Sequence, residues 1–293
     1  MIYLISSIIV STLLGISFKV ISVKNINSFQ AIIINYIIAG SLGFVTTKST
    51  VTPLNVLEQP FIYLAIVLGL VFISCLFAIA ETTAKHGISV AQVANRMSVV
   101  IPISIAILFY GDGVTAFKVI GILLAIAAVY LVSHKENENK VDEKFWWLLP
   151  LIIFICSGII DSSINYAQKF LVTDLTLDVF LSTVFASAFC FGIVVLLYQL
   201  FAKGHKFEGS AIPAGIILGV INYGTMFFLG KALASGVLEP SVFFPINNLS
   251  ILTISTIISV VVFKEKLSQK NWLGIGLSLL AIFILGLLPQ ILK

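Results

Sequence analysis

Arg96 is the residue in this sequence with the clearest chemical potential. It is the only arginine in the chain and it stands in an apolar segment. An unpaired charge in such a segment is costly, so the guanidinium needs a partner, a water-filled cavity or a charged substrate. A planar guanidinium binds carboxylate and phosphate groups through parallel hydrogen bonds. Glu81 lies across one tight connection from Arg96, and we expect these two side chains to form an ion pair.

Four further charged residues fall within apolar runs or near their ends: Lys19, Glu81, Asp161 and Lys231. Lys19 and Glu81 lie toward the same side as Arg96, whereas Asp161 and Lys231 lie toward the other side. We hypothesise that each set forms a gate, held shut by opposite charges and opened when a substrate competes for one of them. Asp161 or Glu81 would also suit a coupling proton. The alternative is that these side chains extend to the lipid headgroups or join helix ends.

Polar residues at mid-depth are the remaining candidates for substrate contact. The alternative for each is an interhelical hydrogen bond, worth about 0.6 kcal/mol on average in membranes. Pro102 in the fourth segment, and Pro240 and Pro245 around the start of the ninth, free backbone carbonyls and permit kinks, which suit moving helices or a static bend equally. The candidates at mid-depth are Ser17, Asn35, Tyr36, Asn165, Tyr166, Asn222, Tyr223 and Asn247.

The composition identifies the environment of these residues. The chain has 293 residues, of which 59% are hydrophobic and 10% charged, and its mean hydropathy is +1.12. A soluble domain could not cover so much apolar surface with polar residues, so the sequence predicts an all-α integral membrane protein. The lysines are scattered over short loops, which argues against nucleic-acid binding. No phosphate-binding loop, metal-ligand cluster or nucleophile motif is present, so we expect neither a cofactor nor enzymatic activity.

Ten apolar segments have the length of about 20 residues that a spanning helix needs. The connections between them are short and hold most of the polar residues. The predicted helices cover residues 2–20, 29–46, 60–82, 90–110, 117–133, 145–168, 179–201, 211–233, 241–263 and 271–289.

The sequence divides into two similar halves of five helices each. The polar stretch 134–144 separates a first repeat, residues 1–133, from a second, residues 145–293. In both halves an acidic residue stands nine positions before a glycine, Asp112 before Gly121 and Glu265 before Gly274. An odd number of helices in each half means that the halves insert with opposite orientation. Inverted repeats of this kind are typical of secondary transporters, which bind substrate where the repeats meet.

Further positions correspond between the halves. Gly15 in the first helix aligns with Gly158 in the sixth, and the alignment on the acidic turns places Asn248 opposite Asn95, the neighbour of Arg96. This correspondence predicts that the two halves contribute related residues to one central site.

Ten helices in two such halves, each ending in an acidic turn, a Thr or Ser and a glycine-containing helix, resemble the EamA-like branch of the drug/metabolite transporter (DMT) superfamily. The turns Asp112-Gly113-Val114-Thr115 and Glu265-Lys266-Leu267-Ser268 carry the resemblance, which covers nearly the whole chain. Asp112 replaces the usual glutamate of the first turn, and Lys264 precedes the second acid. The resemblance implies a carrier for amino acids, sugars, nucleotide sugars, nucleosides, amines or drugs.

The lysine distribution predicts the orientation. Ten lysines lie in the odd-numbered loops, and five lie in the even-numbered loops and the C-terminus. The positive-inside rule then places the odd loops in the cytoplasm and both termini outside, in the inner membrane of a prokaryotic cell. We expect an alternating-access transporter of a small polar or zwitterionic metabolite, coupled to a proton or cation, acting as a monomer or homodimer in the bilayer. The alternative is a non-transporting assembly or regulatory protein on a degenerate transporter fold.

Overall fold

The computed structural model describes residues 1–47, 49, 55–109, 113–133, 147–173, 176–238 and 240–288. The polar stretch 134–144 and the acid Asp112 lie outside the described residues. Within the described ranges the chain is helical and contains no strand, which confirms the all-α prediction. Ten helices are long and apolar enough to cross a membrane, which also confirms the predicted number.

Eleven α-helices build these ten spans, because the fourth span consists of two helices. Short connections join them, and α11 continues into a π-helical turn over Phe283–Leu287. The helices are α1 (Ile2–Val23), α2 (Ser28–Thr46), α3 (Ile62–His86), α4 (Ile88–Met97), α5 (Val100–Phe109), α6 (Ala116–Ser133), α7 (Leu148–Phe170), α8 (Leu177–Phe201), α9 (Ala211–Ala234), α10 (Pro240–Val261) and α11 (Gln269–Ile282).

Local chemistry accounts for several helix ends. The Asn27 side chain accepts a hydrogen bond from the Gln30 backbone and caps α2. Ser268 and Asn271 form a capping box at the start of α11. Between α3 and α4, Gly87 adopts a φ of 97°, which side chains other than glycine rarely tolerate. This glycine lets the chain reverse within a single residue.

The break in the fourth span lies where Pro102 predicts it. A proline has no backbone N–H and its ring clashes with the carbonyl four residues earlier, which here is that of Ser98. The helical hydrogen bonding is interrupted at Ser98 and Val99, and α5 begins at Val100. In α10, by contrast, the helix continues through Pro245. Gly286 faces the Pro245 ring, and a side chain at that glycine would collide with it.

The buried apolar side chains form two main clusters. The larger cluster joins α1, α2, α3, α7, α8 and α9, and it includes the fully buried Tyr36, Phe180 and Phe185. The smaller cluster joins α4, α5, α6, α10 and α11 around Met97 and Leu252. Helix α4 also packs on α7 from the first cluster. The seam between the two clusters therefore passes along α4, the helix that carries Arg96.

Candidate functional site

Arg96 occupies the last turn of α4, beside the break in the fourth span. It lies eight residues after Ile88, which is about 12 Å along the helix from the start of α4. One terminal nitrogen of its guanidinium donates a hydrogen bond to the Asn248 side-chain oxygen of α10, at 3.2 Å. Its Nε atom is buried and has no hydrogen-bond partner among the residues that the structure describes. Asn248 of α10 thus fixes one nitrogen of the guanidinium, while the Nε–H group is available to donate a hydrogen bond to a ligand.

Asp161 of α7 faces the same break from the other side. Its carboxylate interacts electrostatically with Arg96 and lies within reach of the Ser98 hydroxyl. One turn earlier, Gly158 lies against Ile101 of α5, where any larger side chain would collide. This close approach of α7 to α5 brings the Asp161 carboxylate to the end of α4.

Asp161 is accessible although it points away from the lipid. It stands two residues after the exposed Ile159, and therefore about 200° further round the helix. Asn165, one turn later on the Asp161 face, is also exposed. The outer face of α7 instead carries Ile155, Ile159 and Tyr166, which are 43%, 41% and 45% exposed. Asp161 and Asn165 therefore line an opening inside the bundle, whereas Tyr166 faces outward.

Helix α10 also carries a side chain that points toward the bundle and is nevertheless exposed. Phe244 lies one turn before Asn248 on the same helix face as the buried Ile251 and Ser255, yet 42% of it is exposed. Helices α7 and α10 both pack on α4, and exposed side chains of each, Asp161 and Phe244, are turned toward the bundle. We call the space between these side chains the central cleft, bounded by Arg96, Asp161, Asn165, Phe244 and Asn248.

The packing of the fourth span shows in which direction the cleft opens. The first seven residues of α4, 88–94, are buried. In α5, by contrast, residues 101–107 are only half-buried. The bundle is therefore tightly packed where α4 begins and less tightly packed along α5, so a route from the central cleft to the surface meets less packing toward the end of α5.

Several predicted binding residues are instead interhelical contacts. The Tyr36 hydroxyl donates to the Phe72 carbonyl at 2.7 Å, and the Ser7 hydroxyl donates to the Asn247 side chain at 3.3 Å. Tyr223 shares a short hydrogen bond with Thr46. Tyr36 and Asn247 are buried. These three predicted site residues thus occupy the alternative role of joining helices.

Two more of the mid-depth asparagines, Asn35 and Asn222, lie against each other. When the amide of Asn35 is oriented by its hydrogen-bond network, its nitrogen donates to the Leu218 carbonyl at 3.2 Å and faces the Asn222 amide at 3.1 Å. Asn35 and Asn222 are buried. Ser17 bonds only to the Leu13 carbonyl of its own helix. Among the predicted substrate contacts, Arg96 and Asn165 border the cleft.

The predicted charge pairs differ from those in the structure. Glu81 forms an ion pair with Lys85, one turn later, at 3.0 Å instead of pairing with Arg96. Lys231 lies over the Phe227 ring of its own helix at 5.6 Å, on the outer face with exposed Val220. These contacts correct the expected Glu81–Arg96 pair and the expected gate of Asp161 with Lys231. Lys19 does form a gate-like contact, but its partner is Glu265, at 2.6 Å.

Sequence reasoning missed Phe244, Ser98 and Glu265 as functional residues. The repeat could have pointed to Glu265, because it is the acid of the second repeated turn. The same repeat did point to Asn248, which aligns with the neighbour of Arg96. Phe244 gives no such signal among the 23 phenylalanines of the chain. The described part of the chain contains no group of three metal-binding side chains.

Two known proteins are similar to this chain over nearly its whole length. No protein-family model matches it. A solved crystal structure of a protein that is 18% identical to this chain matches it with a TM-score of 0.60, covering 100% of this chain and 98% of that one, and so shares its fold. An uncharacterized protein of Haemophilus influenzae is 31% identical over 295 residues, with 98% of each chain covered. The chain belongs to the same family as this Haemophilus influenzae protein.

Proposed function

We propose that the protein is a secondary transporter of a small polar or zwitterionic metabolite, such as an amino acid or a related compound. The observation that carries the proposal is the position of Arg96 and of the exposed Asp161 on neighbouring helices beside a helix break inside an apolar bundle. Charged residues at this depth mark substrate and ion pathways. Discontinuous helices are a recurrent element of transporter binding sites.

The two charges match the two ends of a zwitterion. The Arg96 guanidinium, with its unpaired Nε, would bind a carboxylate. Asp161, on the opposite wall, would bind an ammonium group, and Phe244 would contact an apolar portion. A substrate that is both anionic and cationic is neutral overall, which limits the cost of entering the membrane.

The arrangement of helices supports an inverted repeat of the EamA-like type in the DMT superfamily. Helix α2 packs on α9 and α3 on α8, while α1 packs on α9 and α7 on α3. These contacts are preserved when each helix is exchanged for its counterpart in the other half. Helices α6 and α11, the last of each half, pair with each other. Such pairing is what two related halves joined around a central axis would produce.

Transport would proceed by alternating access, with the cleft exposed first on one side and then on the other. The lysine distribution would place the present opening, at the end of α5, on the outside of a bacterial inner membrane. Asp161 is the better candidate for a coupling proton, because Glu81 is already paired with Lys85. The burial of Asn222 and Asn247 favours the alternative, a non-transporting membrane protein with a filled core.

Thermal stabilisation of the purified protein by a panel of amino acids, amines and organic acids tests the proposal. A ligand that binds the folded state raises the midpoint of unfolding as its concentration exceeds the dissociation constant. We expect zwitterionic compounds to stabilise the protein and Arg96→Gln to abolish the shift. Uptake of each hit into proteoliposomes then measures transport. Tyr166→Phe, on the outer face, is the matched control. Stabilisation without any uptake would support the non-transporting alternative.

A further inference from the structure

A second polar cluster lies at the side of the bundle where α1 ends and α4 begins. The Glu265 carboxylate forms a salt bridge with the Lys19 ammonium at 2.6 Å and accepts a hydrogen bond from the Ile88 backbone N–H at 3.1 Å. It also accepts a short hydrogen bond from the Ser259 hydroxyl. Only 16% of the Lys19 side chain and 9% of the Glu265 side chain are exposed. One carboxylate thus holds together α1, α4 and α10.

Gly87 is shaped to receive this carboxylate. Its φ of 97° lets the chain turn from α3 into α4, and an added Cβ would collide with the Glu265 side chain. The carboxylate therefore occupies the space that a side chain at position 87 would fill. It caps the first turn of α4, where free backbone N–H groups and the helix dipole favour negative charge.

The second half has a corresponding glycine, Gly236. Gly236 follows α9 as Gly87 follows α3, and it also has a positive φ, of 63°. Among the described residues, none comes within 4 Å of a Cβ added at Gly236. The Gly87 turn is therefore filled by the carboxylate of the acidic turn that follows α10, whereas Asp112, the acid of the other turn, lies outside the described residues.

Unpaired polar atoms are buried beneath the Glu265 cluster. Six of the buried side-chain oxygens that have no partner within the described ranges come from the end of α3, the start of α4 and the second half of α10. Each such atom lowers stability relative to a state in which water reaches it. The six atoms belong to Thr82, Thr83, Ser89, Gln92, Ser255 and Thr256.

We propose that Glu265 is a latch that closes a second, water-lined mouth of the transporter, and that the unpaired hydroxyl and amide oxygens line this mouth when it opens. The inference rests on the proposed function, because a closed mouth opposite an open cleft is what alternating access requires. Release of Lys19 and of the α4 N-terminus by Glu265 frees α4 to move from α1 and α10. Water then reaches Ser255, which lies one turn below the Ser259 contact.

The charge on Glu265 is what holds the latch. Hydrogen bonds between ionised partners are stronger than those between neutral groups. Removal of one member of a largely buried pair leaves the other without compensation. Glu265→Gln retains the shape of the side chain and its fit against Gly87, but it removes the attraction for Lys19 and for the helix dipole. The open state of this mouth then becomes more populated.

Cysteine labelling in lipid vesicles tests the latch without any substrate. Cys75, Cys156 and Cys190 are first replaced by alanine, and Ser255→Cys then reports access through the closed mouth to a water-soluble thiol reagent. We expect Glu265→Gln to raise the labelling rate at least about tenfold, which corresponds to about 1.4 kcal/mol. Glu208→Gln is the matched control, because Glu208 caps α2 through the Asn27 N–H at 3.0 Å.

A reporter away from the mouth distinguishes opening from loss of fold. Ser278 is fully buried in α11 and bonds to its own helix, so labelling of Ser278→Cys should stay slow in the Glu265→Gln background. If both reporters accelerate, Lys19→Gln becomes the deciding variant, because it keeps the Glu265 cap on α4 and should accelerate only Ser255→Cys. An unchanged Ser255→Cys rate in both backgrounds would overturn the latch and leave the zwitterion site to be judged by ligand stabilisation alone.

Discussion

Arg96 and Asn248 are joined by a hydrogen bond of 3.2 Å that connects the last turn of α4 to α10. These helices belong to different halves of the chain. Alignment of the two acidic turns makes Asn248 the counterpart of Asn95, the residue before Arg96. Related positions of the two halves therefore meet at the floor of the central cleft, and a change at either residue should be felt by a ligand bound there.

Asn248→Ala should weaken substrate binding while leaving the fold intact. Its amide oxygen orients the guanidinium, and a hydrogen bond to a charged group contributes about 1.5–3 kcal/mol. Part of that loss is recovered when water replaces the amide in the accessible cleft. We expect affinity to fall about tenfold, which is about 1.4 kcal/mol. Ligand titration by thermal shift measures the change.

Arg96→Lys should lower affinity more than Asn248→Ala although it conserves the charge. A lysine ammonium is a point charge and cannot reproduce the planar fork that spans Asn248 and a substrate carboxylate. Binding equal to that of the native protein would show that Arg96 contributes only its charge.

Asp161→Asn should change which compounds the protein accepts. Asparagine keeps the size of the side chain and removes the negative charge that would bind an ammonium group. We expect amino acids to lose binding, while carboxylic acids of the same shape that lack the amine bind as well as before or better. Competition assays with such paired compounds measure the ratio. An equal loss for both members of each pair would remove Asp161 from ammonium recognition.

Gly158→Leu should displace α5 and impair transport. The added side chain would occupy the position of Ile101, against which Gly158 lies. Ile101→Ala removes the obstacle, so the double variant should recover part of the lost stability. Coupling of about 0.5–3 kcal/mol is typical for residues in contact. Unfolding midpoints of the two single variants and the double variant give the coupling, and simple additivity would contradict the contact.

Tyr36→Phe should affect stability and leave substrate binding unchanged. The Tyr36 hydroxyl joins α2 to the Phe72 carbonyl of α3 and lies far from accessible surface. Loss of one interhelical hydrogen bond costs about 0.6 kcal/mol in membrane proteins. We expect a lower unfolding midpoint and an unchanged rise of that midpoint on ligand addition. Loss of the ligand-induced rise would show that Tyr36 contributes to substrate binding.

The spans were predictable from the sequence because membrane thickness sets their length. The predicted segment 29–46 differs from α2 by one residue, and 117–133 differs from α6 by one. Proline removes a helical hydrogen bond wherever it stands, yet only Pro102 accompanies a break, since α10 continues through Pro245. The hydropathy pattern did not indicate the end of α3. The predicted segment ends at residue 82, whereas α3 continues to His86, so Glu81 lies more than one turn before the connection to α4.

The faces of the helices were much less predictable than their depths. Asn35, Asn222 and Asn247 lie within their spans as expected, but each turns toward another helix instead of the cleft. In a membrane protein, lipid and core are both apolar, so a helix has no hydrophilic stripe that would reveal its orientation. The partner of Lys19 was equally hidden, because Glu265 is 246 positions away and meets it only through the fold.

The two apolar clusters have a consequence for the cost of movement. Each cluster keeps its own interior contacts, and the contacts between them include the alanines of α4, Ala91 and Ala94, against Ile153 of α7, together with the packing of α1 on α10 and of α5 on α7. Where the side chains are as small as these alanines, one block can tilt on the other with little steric resistance, whereas the contact of Ile101 with Gly158 must separate. Arg96 belongs to one block and Asp161 to the other, so a solute bound by both residues would touch both blocks and bias their relative tilt.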